Sequence, residues 1–161
     1  LHLSIRRQRQ MCIRDSPYIL AQCFGAIAAS LMLVLSLGKV GNLGATIPLE
    51  GNWLQSLVLE VILTFILMLV ILGSGLDRRA PLGFAGLAIG LTVALEAAFM
   101  GPITGASMNP ARSLGPALVS GVWEAHWIYW IAPILGAQLA VIVYRILSND
   151  FRDFQEKEQW L

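Results

Sequence analysis

The sequence predicts an all-α membrane protein: an incomplete helical bundle of four bilayer-crossing helices and one re-entrant half-helix. Three observations lead there. The 161-residue chain is 57% hydrophobic and only 13% charged, with a mean hydropathy of +0.69, outside the range of an ordinary soluble domain. Four stretches, residues 17–37, 54–73, 82–100 and 127–147, are long and apolar enough to span a hydrocarbon core of about 30 Å. Between the third and the fourth, GPITGASMNPARSLGPAL at 101–118 interrupts the apolar pattern with glycines, prolines and an arginine. The formal net charge of +1 offers no electrostatic argument for a nucleic-acid partner. Cys12 and Cys23 form neither a disulfide framework nor a metal-ligand spacing, and no cofactor is expected.

In chain order, residues 1–16 (LHLSIRRQRQMCIRDS) are rich in Arg and Gln and give way abruptly to apolar sequence at Pro17. They read as a foreign segment, such as a fusion or assembly scar, or else as a cytoplasmic basic stretch before the first span. The loop over 38–53 carries one Lys and one Glu, whereas Asp77-Arg78-Arg79-Ala80 is short and basic. The positive-inside rule therefore puts the latter in the cytoplasm, together with both chain ends and the mixed-charge tail 148–161. Trp53, Trp123, Trp127, Tyr129 and Trp130 fall at the opposite boundary and are expected to form an aromatic belt, with His126 making an interfacial hydrogen bond. Glu60 and Glu96 lie inside spans, where a carboxylate is costly, so both are expected to be partnered.

The interruption itself has a physical reading. Asn109 is a good N-cap, Pro110 suits a first helical position, and 111–120 then forms a short helix. Ten residues cover roughly 15 Å, about half of the hydrocarbon core. Broken backbone at that depth is tolerated only where it is buried in protein or lines a water-filled cavity. The positive end of the half-helix dipole attracts oxygen lone pairs and opposes cations. Arg112, one turn in, adds a permanent charge and five fixed donors.

An internal repeat lies across the first and last spans. Tyr18, Ala21, Gly25, Ala26 and Ala29 fall on Tyr129, Ala132, Gly136, Ala137 and Ala140 at a constant offset of 111. Helices three spans apart run in opposite directions, so the repeat is inverted, a plan that places a solute path at the repeat interface. The small residues in both copies are expected to allow close helix approach. Projecting Asn109 back by the same offset lands before residue 1, so the partner half-helix is expected to be missing from this chain or cut off immediately upstream.

On these residues, SMNPARSLGPA preceded by GPITGA, AQCFGAIAAS, Glu60 in LEVILTFILMLV, and HWIYWIAPILGA, the chain resembles the aquaporin family, also called the major intrinsic proteins. The resemblance covers 17–147 and implies a partial transmembrane domain: the family's third to sixth spans and its second Asn-Pro-Ala loop. It implies a passive channel for water or small neutral solutes in a cell membrane, without enzymatic activity, assembled as a homotetramer in the lipid bilayer. Asn109, Pro110 and Ala111 would be the pore motif, with Arg112, Ala97 and Ala106 at the selectivity constriction. Backbone carbonyls of Thr104, Gly105 and Ser107, in a run expected to be extended over 103–108, would line the path. Glu60 would accept hydrogen bonds from the loop backbone. Alanines at two constriction positions imply a wide filter, suited to glycerol, urea or undissociated metalloid acids. Ser113, Ala117 and Tyr129-Trp130 match water-selective members instead, and both solute classes stay open.

Three other classes are weighed. A secondary transporter would be expected to carry coupling carboxylates at the unwound segment, and none lies between residues 100 and 120. An intramembrane enzyme would need a nucleophile–base or metal constellation, yet the last three spans contain no His or Cys. A truncated channel that is inactive alone is the remaining alternative.

Overall fold

The computed structural model describes residues 2–77, 80–81 and 83–148, with side-chain surroundings from Asp15 onward. The described residues contain five α-helices and no strand: α1 (His2–Leu37), α2 (Trp53–Ile71), α3 (Ala85–Thr104), α4 (Pro110–Ser120) and α5 (Ile128–Leu147). Four apolar segments are long enough to cross a membrane: Asp15–Leu37, Trp53–Leu76, Ala85–Thr104 and Ile128–Leu147. The remaining and shortest α-helix, α4, has only 11 residues and covers about 16 Å, so it is a half-helix by length.

Helix boundaries depart from the sequence expectation in three places. α1 continues through Pro17 rather than starting there. α2 is capped by Asn52, whose side chain accepts from the Gln55 N–H at 3.2 Å, and runs on as a π-turn over Leu72–Leu76. α3 does not stop at Gly101-Pro102 but reaches Thr104 and terminates where Gly105 turns left-handed, φ +84°. The Gly105 N–H closes the helix onto the Gly101 carbonyl at 2.9 Å, a C-terminal device that glycine performs without a Cβ penalty. The run expected to be extended from 103 is therefore helical at its first two residues.

The described residues fall into two compact units. The first comprises α1, the turn that follows it, and α4. There α4 lies so close to α1 that a Cβ on Gly115 would sit 2.4 Å from the Ala26 carbonyl oxygen. Only a bare α-carbon fits, and Ser30 donates to that same carbonyl at 2.9 Å.

The second unit comprises α2, α3, α5 and the loop 105–109. α5 buries Ile128, Tyr129, Ala132, Pro133, Gly136 and Ala140, a stripe at helical spacing, and α2 buries Ser56, Glu60, Leu63 and Thr64. A Cβ on Gly136 would meet the Val61 carbonyl oxygen at 2.4 Å. At the far end the Tyr144 hydroxyl donates to Asp77 at 2.7 Å. Arg78 and Arg79, which carry the orientation argument, lie outside the described residues.

The two copies of the sequence repeat are packed differently. Gly136 is pressed against α2, while a Cβ at Gly25 would meet nothing within 4 Å. Tyr129 is fully buried and Tyr18 is 69% exposed. Tyr129 is thus not a member of the aromatic belt, because it shares its α5 face with Ala132, Pro133 and Gly136 and points inward with them. Trp53, Trp123, Trp127 and Trp130 stay exposed, and the Trp53 and Trp127 rings sit 5.9 Å apart.

Candidate functional site

The site is built around the five residues that join α3 to α4. Gly105 begins it, and a Cβ there would lie 2.7 Å from the Thr46 α-carbon, so close backbone approach and a left-handed φ both demand glycine. Ala106 and Met108 also have positive φ, +41° and +53°. Left-handed backbone in such residues costs roughly 1–2 kcal/mol each and persists only where the surroundings fix it.

Glu60 supplies that fixing. Its Oε1 accepts from the Ser107 N–H at 2.8 Å and from the Thr104 hydroxyl at 2.8 Å, and its Oε2 accepts from the Met108 N–H at 2.9 Å. The Ala106 N–H donates to Thr104 Oγ1 at 3.0 Å. Three consecutive loop N–H groups are therefore satisfied by two side chains. Hydrogen bonds to a charged acceptor contribute about 1.5–3 kcal/mol each, enough to offset two strained residues. Glu60 is 0% exposed, and its three donors are what make a buried carboxylate tolerable.

Further bonds extend the network. The Tyr129 hydroxyl donates to the Thr104 carbonyl at 2.7 Å, tying α5 to the end of α3. The Ser107 hydroxyl donates to the Asn109 carbonyl at 3.0 Å and accepts from its N–H at 3.4 Å. Beneath the loop, Leu63, Ala106 and Met108 form an apolar cluster with Leu67 and Met100 against it. His126 is buried with its ring 6.3 Å from that of Tyr129, and burial holds its imidazole below the usual value of 6.5.

On the half-helix, Pro110 opens α4 and Ala111 is buried, while Asn109 and Arg112 are exposed. Arg112 Nη1 donates to the Gly44 carbonyl at 3.0 Å. That acceptor lies in a tight turn, Gly41–Gly44, in which Asn42 and Leu43 are themselves left-handed.

The structure thus brings Glu60, Thr104, Ala106, Ser107 and Met108 together and links Ser107 to Asn109. Ala97 is exposed on α3 and joins none of these bonds. Thr104 is fully buried and its carbonyl accepts from the Tyr129 hydroxyl. Sequence reasoning missed Tyr129, Thr46, Gly44 and the Thr104 hydroxyl. The glycine pair flanking Asn42-Leu43 was the one signal for the Arg112 acceptor, since it marks a turn. Glu96 differs from its expectation, because it is buried and neither carboxylate oxygen has a hydrogen-bond partner among the described residues.

Comparison with known proteins places these features in context. The family described as Major intrinsic protein matches residues 3–144. Nodulin-26 of Glycine max is 50% identical over 145 residues, covering 89% of this chain and 53% of that protein. Aquaporin AqpM of Methanothermobacter marburgensis is 43% identical over 145 residues, covering 83% of this chain and 59% of that protein. Aquaporin NIP1-1 of Zea mays is 47% identical over 140 residues, covering 86% and 49%. The chain spans about half the length of the curated relatives it matches.

Proposed function

The chain belongs to the major intrinsic protein family, and from that premise we propose that it contributes one wall of a passive channel for water or small neutral solutes. It is an integral, multi-pass membrane protein, and its described residues include four helices long and apolar enough to span a bilayer. The observation that carries the proposal is the loop held by Glu60: its N–H groups at 106, 107 and 108 are committed to side chains, so the polarity it offers a solute is that of acceptors. Carbonyls of Gly105 and Ser107 then accept from solute hydrogens, while the Asn109 amide and the guanidinium of Arg112 donate to solute oxygen.

Selectivity in this reading needs no covalent step and no cofactor. Arg112 and the N-terminal end of α4 set an electrostatic barrier to cations, and Ala97 and Ala106 leave the constriction wide. Asn109, Pro110 and Ala111 form the pore motif, and Glu60 acts through the loop it shapes. Assembly as a homotetramer, and an orientation with residues 77–80 and the C-terminus in the cytoplasm of a cell expressing the protein, belong to the same proposal.

The test is stopped-flow light scattering on vesicles containing the chain, wild type against Arg112→Ala. Wild-type shrinkage faster than in protein-free vesicles, with larger or charged solutes admitted by Arg112→Ala, supports the channel. Shrinkage equal to that of protein-free vesicles overturns it for this polypeptide, and unchanged solute range in the variant overturns the role of Arg112.

A further inference from the structure

We propose that Leu43 is a positioning residue for Arg112: its buried side chain clamps a left-handed turn and so fixes the Gly44 carbonyl that receives the guanidinium. This deepens the channel reading and rests on it for the role of Arg112. Four consecutive residues of the turn have positive φ: Gly41 +56°, Asn42 +48°, Leu43 +57° and Gly44 +73°. Left-handed backbone is ordinarily visited by single residues, glycine most readily and asparagine next. Gly41, Asn42 and Gly44 therefore suit the turn locally, and Leu43 is the member that opposes it. Strain of this kind persists only where the surroundings over-determine it, and it collects at clamps and functional sites.

The surroundings single out the same residue. Leu43 is 6% exposed, whereas the other three residues of the turn are exposed. The turn packs against α4, the helix that carries Arg112, and against α1. Burial of the leucine side chain thus offsets the unfavourable backbone and holds the turn in place. Within the turn, the Leu43 N–H donates to the Val40 carbonyl and the Ala45 N–H to the Asn42 carbonyl, each at 3.0 Å. The Gly44 carbonyl takes no part in those bonds and accepts from Arg112 Nη1 at 3.0 Å. A guanidinium sits on a long, rotamer-rich stem, so a carbonyl fixed in space narrows where its charge stands.

Solid-state NMR of the 161-residue chain in lipid bilayers, with isotope-labelled arginine and the Arg112 signals assigned from Arg112→Lys, reads the guanidinium directly. Wild type is expected to give separate Nη1 and Nη2 signals, the mark of a guanidinium held by a hydrogen bond. Leu43→Gly removes the anchor and at the same time eases the left-handed backbone, so loosening in this variant reports the side chain and not the strain. Its two signals are expected to merge. Leu43→Met restores the apolar volume and is expected to separate them again. Amide exchange over 111–117 is expected to keep its wild-type rate in both variants. Merged signals in wild type, separate signals in Leu43→Gly, or merged signals in Leu43→Met overturn the proposal. Quickened exchange over 111–117 in Leu43→Gly, or failure of that variant to fold, would make Leu43 a support for α4 as a whole and overturns it too. Permeation does not enter this readout, so a chain that conducts nothing removes the channel reading while the positioning of Arg112 is still decided.

Discussion

The two flanks of the Asn109-Pro110 peptide are held by different physics. On the loop side, four short hydrogen bonds converge on Glu60 and Thr104, and non-glycine residues are kept left-handed. On the half-helix side, α4 is seated by a backbone approach that leaves no room for a Cβ at Gly115, with Arg112 bonded to a turn carbonyl. A re-entrant segment faces two separate problems in lipid. Where the helix is broken, backbone polar groups need partners; where it is intact, a short helix needs a tight fit. The chain answers the first with a buried carboxylate and the second with a missing side chain.

Removing the carboxylate is the strongest way to break this comparison. Glu60→Ala leaves the Ser107 and Met108 N–H groups buried without an acceptor, and each such orphaned donor costs about 1–3 kcal/mol. Hydrogen exchange over 106–108 should quicken strongly while 111–117 changes little. Equal quickening on both flanks would show that one device holds both.

The reciprocal experiment is Gly115→Val. The new side chain overlaps the Ala26 carbonyl, a backbone atom that cannot swing away, so the loss belongs at the upper end of about 1–3 kcal/mol. Exchange should now quicken over 111–117 and hold over 106–108. A smaller and more local effect is expected from Tyr129→Phe, which deletes the donor to the Thr104 carbonyl and costs about 1 kcal/mol. Thermal unfolding in detergent measures it, and an unchanged Tm would remove Tyr129 from the loop's support.

These two sides were unequally legible in the sequence. Length and hydropathy locate all four spans because a bilayer imposes a minimum apolar length, and Asn109-Pro110 marks the start of α4 because both residues have strong positional preferences. Glu60 stands out as a carboxylate at membrane depth, yet its partners are 44, 47 and 48 positions away, and no local spacing encodes them. Gly115 was less legible still. Gly25 and Gly136 belong to the same kind of small-residue pattern, and only tertiary packing distinguishes the glycine with open space from the two pressed against backbone. Tyr129 shows the same limit, since aromatic residues at a boundary look alike until the helix face that carries them is known. The end of α3 was misjudged because Pro102 sits where a helix is already finishing, and the left-handed Gly105 decides the stop.

The smallest expected effect separates the flanks by pH. His126 precedes α5 outside the spans, is 9% exposed, and lies against Tyr129. Burial holds its pKa below the usual 6.5, so as pH falls the unfolded chain takes up the proton before the folded one does. The stability associated with the neutral ring is present in full above that usual value and is lost as pH falls below it. Because Tyr129 anchors the Thr104 carbonyl, the loss should reach the loop side first. Acidification should lower Tm and quicken corrected exchange over 106–108, leaving 111–117 unchanged, and His126→Gln should flatten the slope. A slope that persists in the variant would assign the acid sensitivity to another group. Acid loosening of 111–117 to the same degree would mean that the steric side also depends on the polar network, and the division between carboxylate and missing side chain would fail.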